Sequence, residues 1–325
     1  MALMEQFKDC QPLVPLLRQS GVSIEKKLAE FREQATTFPQ LHRSLAAIQY
    51  YLHFALWNCQ DQWRTKHLGT TNFATLLFEL ERWRYEKKEQ VCFVTFNYDT
   101  MLEEAMSQVL RLEVRDMDSY IKWDNYSLLK LHGSINWGRV VEGISKNQGE
   151  TSNDLCQRII DMMEPRSEFF TNEYKLCSHD MHPLPIKPSV LHGGMAGPDS
   201  VLYPALSIPV ENKDEFSCPA KHVTALEALL PKVTKVITIG WRATEAEFLR
   251  MLKFSRQMPY SGVRPVMRLL IVTGSKDGAG ETLTNLLRVG GETPDLFQHL
   301  PTTPVTTGFT GLINNLATLG AFLRG

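Results

Sequence analysis

Asn97, Tyr98 and Asp99 stand directly after the apolar run VCFVTF and directly before the helix-forming run DTMLEEAMSQVL. A second apolar run, SLLKLHGSINW, brings His132, Gly133 and Ser134 to its end, and a third, KVITIGW, stops on Gly240 and Trp241 ahead of an acidic stretch. An amide, a carboxylate and an imidazole are groups that hold a polar ligand and exchange a proton near neutral pH. Taken singly, each turn has an ordinary reading. Asp99 caps the helix while Asn97 bonds local backbone, and a His before a Gly is common in turns. Taken together they say more, because a strand that stops on polar residues where a helix begins is a place where ligands sit in α/β sheets.

The elements that must position these turns follow from periodicity. Residues 1–90 read as a helical segment. SIEKKLAEFREQ carries Ile24, Leu28 and Phe31 at helical spacing behind a capping Ser23, and LHRSLAAIQYYLHFALWNC is apolar around most of its circumference, as a buried helix would be. NFATLLFELERWRYEKK is a third helix. From residue 91 short apolar runs alternate with helical ones: strands at 91–96, 127–137, KVITIGW and VMRLLIVTG, with helices between and after them, and a closing helix in GFTGLINNLATLGAFL. The fold class expected is α/β: a Rossmann-like, mostly parallel sheet with helices on both faces over 91–325, preceded by the helical segment. Residues 139–200, with Pro, Gly, Asn and Asp throughout, read as a loop-rich insertion. In such a sheet the three turns share one crevice at the carboxyl ends of the strands.

The bulk numbers restrict the function class. The chain has 325 residues, 43% hydrophobic and 22% charged, with a formal net charge of -1. That is the composition of a soluble globular enzyme with a substantial core, and no overall field draws nucleic acid or an anionic membrane. The basic and aromatic residues of NCQDQWRTKH and LERWRYEKKEQ are interleaved with acids, which argues for solvated helix faces and against a stacking platform for single strands. No run spans a bilayer and the start is not a signal peptide, so the cytoplasm is the expected compartment. The six cysteines show no C-x-x-C pair. Cys177, His179 and His182 lie close in sequence but lack a fourth ligand nearby, so no metal is expected.

TFNYDTMLEEA, KLHGSINW and VITIGWRATEAEFLRML, in that order, resemble the sirtuin-like family, specifically its bacterial NAD-hydrolysing branch. The resemblance spans about residues 23–290 in element order. It implies that NAD is the substrate, with Asn97 and His132 catalytic and Thr95, Asp99, Gly133, Ser134, Gly240 and Trp241 binding the dinucleotide. The chemistry suits these groups. Nicotinamide leaves C1 of the ribose as a neutral molecule, so no acid is needed to protonate it. The transition state is a sugar oxocarbenium that needs dipolar groups facing it and a placed water. Asn97 would orient that water or the ribose, His132 would bond the ribose hydroxyls and accept a proton, and Asp99 would support the nicotinamide end or hold Asn97. The branch typically serves antiviral defence by depleting NAD, with a sensor protein or self-association as partner. A peptide-deacylating sirtuin would carry two C-x-x-C pairs in the region of 139–200, and they are not there.

One departure stands out. The family opens with a strand and a G-A-G-x-S loop that holds the pyrophosphate. The first sixty residues here contain one glycine, Gly21, and PLVPLL is broken by proline. A missing central strand would leave two apolar edges unpaired. Three explanations compete: a true amino terminus farther upstream, a strand donated by another chain, or a catalytically silent relative that binds nucleotide or serves assembly. DGAGET, after LLIVTG, has the context of a displaced phosphate loop, against the plainer reading of a helix-capping turn.

Overall fold

The computed structural model describes residues 7–13, 24–69, 71–144, 147–163, 170–177, 201–208, 216–257, 268–288 and 304–325. Ser23, Gly21, residues 14–17 of PLVPLL, and His179 and His182 lie outside these residues.

Helices come first, as their periodicity requires. A short 3-10 turn (Lys8–Leu13) precedes α1 (Ile24–Ala35), α2 (Gln40–His67) and α3 (Asn72–Lys87). The second is 28 residues long and buries Ala46, Tyr50, His53, Phe54 and Trp57, a stripe at spacings of three and four. Phe7 packs on it from the other side of a ring cluster, 6.1 Å from Tyr50 and 5.7 Å from Phe54. Then β1 (Val91–Thr95) leads to α4 (Met101–Leu110), the one-turn α5 (Ser119–Lys122) and β2 (Tyr126–Lys130), and β1 and β2 pair in parallel. In the second half α7 (Ala220–Leu229), β6 (Lys235–Ile239), α8 (Ala246–Gln257), β7 (Arg268–Val272) and α9 (Lys276–Arg288) form a second βαβ unit, with β6 and β7 parallel. Two short helices, α10 (Gly308–Asn314) and α11 (Leu316–Arg324), close the chain where one continuous helix was expected; the chain turns at Asn315, whose φ of -128° and ψ of 67° are not helical.

Between the halves lies a third sheet. Strands β3 (Gly133–Val141), β4 (Phe170–Leu176) and β5 (Val201–Leu206) are antiparallel in the order β4-β3-β5. The fold is thus mixed α/β, but the mostly parallel sheet expected for 91–325 consists, among the described residues, of two separate parallel pairs beside an antiparallel sheet. The strand anticipated over 127–137 is two strands. Gly133, at φ 81°, is the break: it swings the chain from β2 into the other sheet, and a Cβ there would stand 2.0 Å from the Ala205 carbonyl oxygen.

The expected loop-rich insertion is also more ordered than its composition suggested. It begins inside β3, contains β4 and holds α6 (Ser152–Met162), whose start is a capping box. Thr151 Oγ1 accepts from the Asp154 N–H (3.2 Å) and the Asp154 carboxylate accepts from the Thr151 N–H (3.0 Å). Leu155, Ile159 and Ile160 then join the core around Tyr50 and Leu202. DGAGET is neither loop nor turn: it forms the first turns of α9, with Ser275 Oγ accepting from the Gly278 N–H at 3.1 Å.

Candidate functional site

The two parallel pairs face each other across a cavity of about 1940 Å³. Roughly 300–1,000 Å³ suffices for a drug-sized ligand. Residues 91–99 line one side of it and 234–246 the other. At its carboxyl end the three turns meet. The Phe96 ring lies 4.9 Å from His132 and 5.7 Å from Trp241, with Phe248 also 5.7 Å away. Tyr98 flanks His132 from another side at 6.5 Å. Thr95, Asn97, Asp99, His132, Gly240 and Trp241 all line the cavity, so six of the eight residues singled out in the sequence are brought together.

Asn97 is exposed. Its backbone N–H donates to Thr95 Oγ1 (3.1 Å), while its side-chain amide has no hydrogen-bond partner among the described residues. It is therefore available to a ligand. His132 is 7% exposed, packed between aromatic rings. Asp99 takes the structural part first: its Oδ1 accepts from the Met101 N–H at 3.0 Å and so caps α4.

Gly133 and Ser134 do not reach the cavity. Ser134 is fully buried, its hydroxyl on the Tyr98 carbonyl (3.2 Å) and on Asn136 Oδ1 (2.6 Å). The Ile135 N–H donates to the same Tyr98 carbonyl at 2.9 Å. These two residues clamp the Asn97 turn from behind, because past Gly133 the chain already belongs to the other sheet.

Sequence reasoning passed over the groups beneath the turn. Lys130, 1% exposed, donates to Glu103 (2.8 Å) and to the Asp99 carbonyl. Tyr120 donates to the same Glu103 oxygen (3.2 Å) and accepts from the Trp137 indole N–H (3.0 Å). The signal was a lysine inside the apolar strand SLLKL, which reads as an edge residue until its partner on α4 is placed. From α2, Gln60 accepts from the Thr100 N–H (2.8 Å) and donates to Thr100 Oγ1 (2.6 Å) and Glu104 (3.0 Å), and Arg64 pairs with Glu104. That charge-assisted bond to Glu104 raises the Arg64 guanidinium above its usual range. Arg242, exposed at the cavity rim, is the second omission. Its carbonyl is held by Asn285 (2.9 Å) in a turn with two left-handed residues, Gly240 at φ 65° and Ala243 at φ 56°, and an arginine there can meet a phosphate.

Burial pushes the Cys92 thiol on β1 up to about 12, which disfavours its thiolate form. Among the described residues no His, Cys, Asp and Glu side chains gather as a metal site, and no helix is long and apolar enough to cross a membrane. No family model, no curated protein and no solved structure matches the chain.

Proposed function

We propose that this chain is an NAD glycohydrolase built on a Rossmann-like frame, cleaving NAD to nicotinamide and ADP-ribose at the carboxyl ends of β1 and β6. The observation that carries this reading is the convergence of His132 and Trp241 on the Phe96 ring, beside the cavity-lining Asn97, at one end of a cavity large enough for a dinucleotide. The planar rings of Phe96 and Trp241 suit the nicotinamide ring, which stacks on aromatic faces. The unpartnered Asn97 amide suits the ribose or the attacking water. As the glycosidic bond breaks, positive charge gathers on the ribose, and the Asn97 carbonyl and Asp99 carboxylate are the dipole and charge available to face it. His132, shielded between rings, takes the proton from the water or a ribose hydroxyl. Arg242 lies at the rim, where the pyrophosphate would leave the cavity. An antiviral role and a sensor partner come with the sirtuin-like resemblance.

The test is nicotinamide release by the purified chain. Asn97→Ala and His132→Ala, each retaining the parent's thermal midpoint, should each lower turnover by about 100-fold or more. A second reading, a silent nucleotide-binding module, is favoured by one specific feature: the glycines of DGAGET are helical and Gly133 faces Ala205, so neither of these glycine stretches cradles a pyrophosphate. Ligand-induced stabilisation by NAD without any nicotinamide release would support that module and defeat the hydrolase.

A further inference from the structure

Strand β2 ends on a lysine that is only 1% exposed, at the position paired with Thr95 at the end of β1. The Lys130 ammonium has two partners of different kinds. One is the Glu103 carboxylate in the first turn of α4, at 2.8 Å, and the other is the backbone carbonyl of Asp99, in the turn that carries Asn97. Glu103 is fixed in its turn. The same oxygen, Oε1, accepts from the Tyr120 hydroxyl (3.2 Å), and that hydroxyl accepts from the Trp137 indole N–H (3.0 Å), with both rings fully buried.

Stability alone does not account for this pair. Two opposite charges taken out of water lose hydration that their attraction only roughly restores, and apolar residues of similar volume commonly hold a core as well or better. The balance is worse here, since Glu103 Oε2 is buried with no hydrogen-bond partner among the described residues. What an apolar residue at position 130 cannot supply is the bond to the Asp99 carbonyl. That bond completes a series. The Tyr98 carbonyl accepts from Ser134 Oγ (3.2 Å) and the Ile135 N–H (2.9 Å) of β3, the Asp99 carbonyl accepts from Lys130 of β2, and the Thr100 N–H donates to Gln60 of α2 (2.8 Å). Three successive residues are thus held by three different elements, while the Asn97 side chain just ahead of them is exposed to the cavity. A turn gripped in this way is a rigid mount for the side chain it leaves open. The counter-ion has a second effect: a lone ammonium beneath the turn would oppose positive charge gathering above it, and Glu103 cancels that charge.

We propose that Lys130 is a positioning residue. It aims the Asn97 amide by holding the Asp99 carbonyl, and Glu103 neutralises and steers the ammonium. The effect on turnover rests on the hydrolase reading; the hold on the turn does not.

The test uses the full chain with Lys130→Met and Glu103→Leu together, which removes both charges and leaves neither buried alone. Amide hydrogen exchange reports the turn directly. The N–H groups of Thr100 and Met101, bonded to Gln60 and to Asp99 Oδ1, should exchange about 10-fold faster or more, while the amides of β5 keep the parent's rates. In nicotinamide release from NAD the paired substitution should lower kcat by about 10- to 100-fold with KM little changed. In an Asn97→Ala background it should lower kcat no further, because no amide is left to aim, whereas a merely loosened core would give additive losses. A parent chain that releases no nicotinamide defeats the hydrolase reading and leaves the exchange rates to decide the role of Lys130. Four outcomes overturn the proposal: a paired variant that no longer folds, parent exchange rates at Thr100 and Met101, an active parent whose kcat the pair leaves unchanged, or a kcat loss as large with Asn97→Ala as without it.

Discussion

Strands β5 and β1 are of similar length and apolar character, yet every residue of β5 is buried and none of β1 is. The difference lies in their neighbours. β5 is sealed by α2, where Gln49 donates to the Pro204 (3.0 Å) and Leu206 (2.6 Å) carbonyls and Tyr203 donates back to Gln49 (2.9 Å). β1 has a partner on one side and a cavity on the other. An apolar strand is half a recognition element until both its edges are paired, so the same residue types make a finished core in one region and a receptive wall in the other.

The largest effect should come at the seam between the two regions. Lys130→Ala leaves the Glu103 carboxylate buried without its cation and should cost about 3–5 kcal/mol in urea unfolding. The pair Lys130→Met with Glu103→Leu should return most of that, and a double variant as unstable as the single one would show that the ion pair itself stabilises the turn. The next comparison probes the walls. Leu270→Ala on the closed strand β7 should cost about 2–5 kcal/mol, the range for truncation in a packed core. Ile237→Ala on β6 should cost less than half as much, because its side chain is only half-buried. Equal costs would break the contrast between finished and receptive strands.

A smaller effect should appear in acid. His222 is fully buried beside Tyr120 and Trp137, with Nε2 2.7 Å from the Met117 carbonyl, and burial, against that bond, lowers it to about 4. The unfolded chain takes up a proton as the pH falls below about 6.5 and the folded chain does not until about 4. Stability should therefore fall across that window, by at most on the order of 3 kcal/mol, and level off below it. His222→Phe should flatten this limb of the pH profile, and an unchanged limb would place the acid-sensitive group elsewhere.

The sequence made the site legible where local pattern suffices. Asn97, His132, Gly240 and Trp241 stand at the ends of apolar runs, and strand ends in a layered α/β fold converge. Gly133 and Ser134 looked equivalent to them because spacing does not show that the chain changes sheets at a left-handed glycine. Lys130 and Gln60 were invisible for a different reason: each acts through a partner at least 27 residues away, and a single sequence carries no pairing information. The bare edges of β1 and β6 entered only as an expectation, from the lack of an early glycine turn. Which backbone groups they leave unpaired depends on register, and register is decided by neighbours. Residues 152–162 were hidden by composition, since the Thr151–Asp154 box that starts a helix uses the same residue types that end one.

The reach of α2 has a mechanical side. At about 1.5 Å per residue its 28 residues form a rod of about 42 Å. It is tied to the antiparallel sheet through Gln49 and Tyr203, and about three turns farther on it grips Thr100 and Glu104 through Gln60 and Arg64. The ring cluster around Phe7 and Tyr50 and the residue three places beyond Asn97 are therefore held by the same helix. The turn that faces the cavity is thus tied through one helix to the ring cluster at that helix's middle.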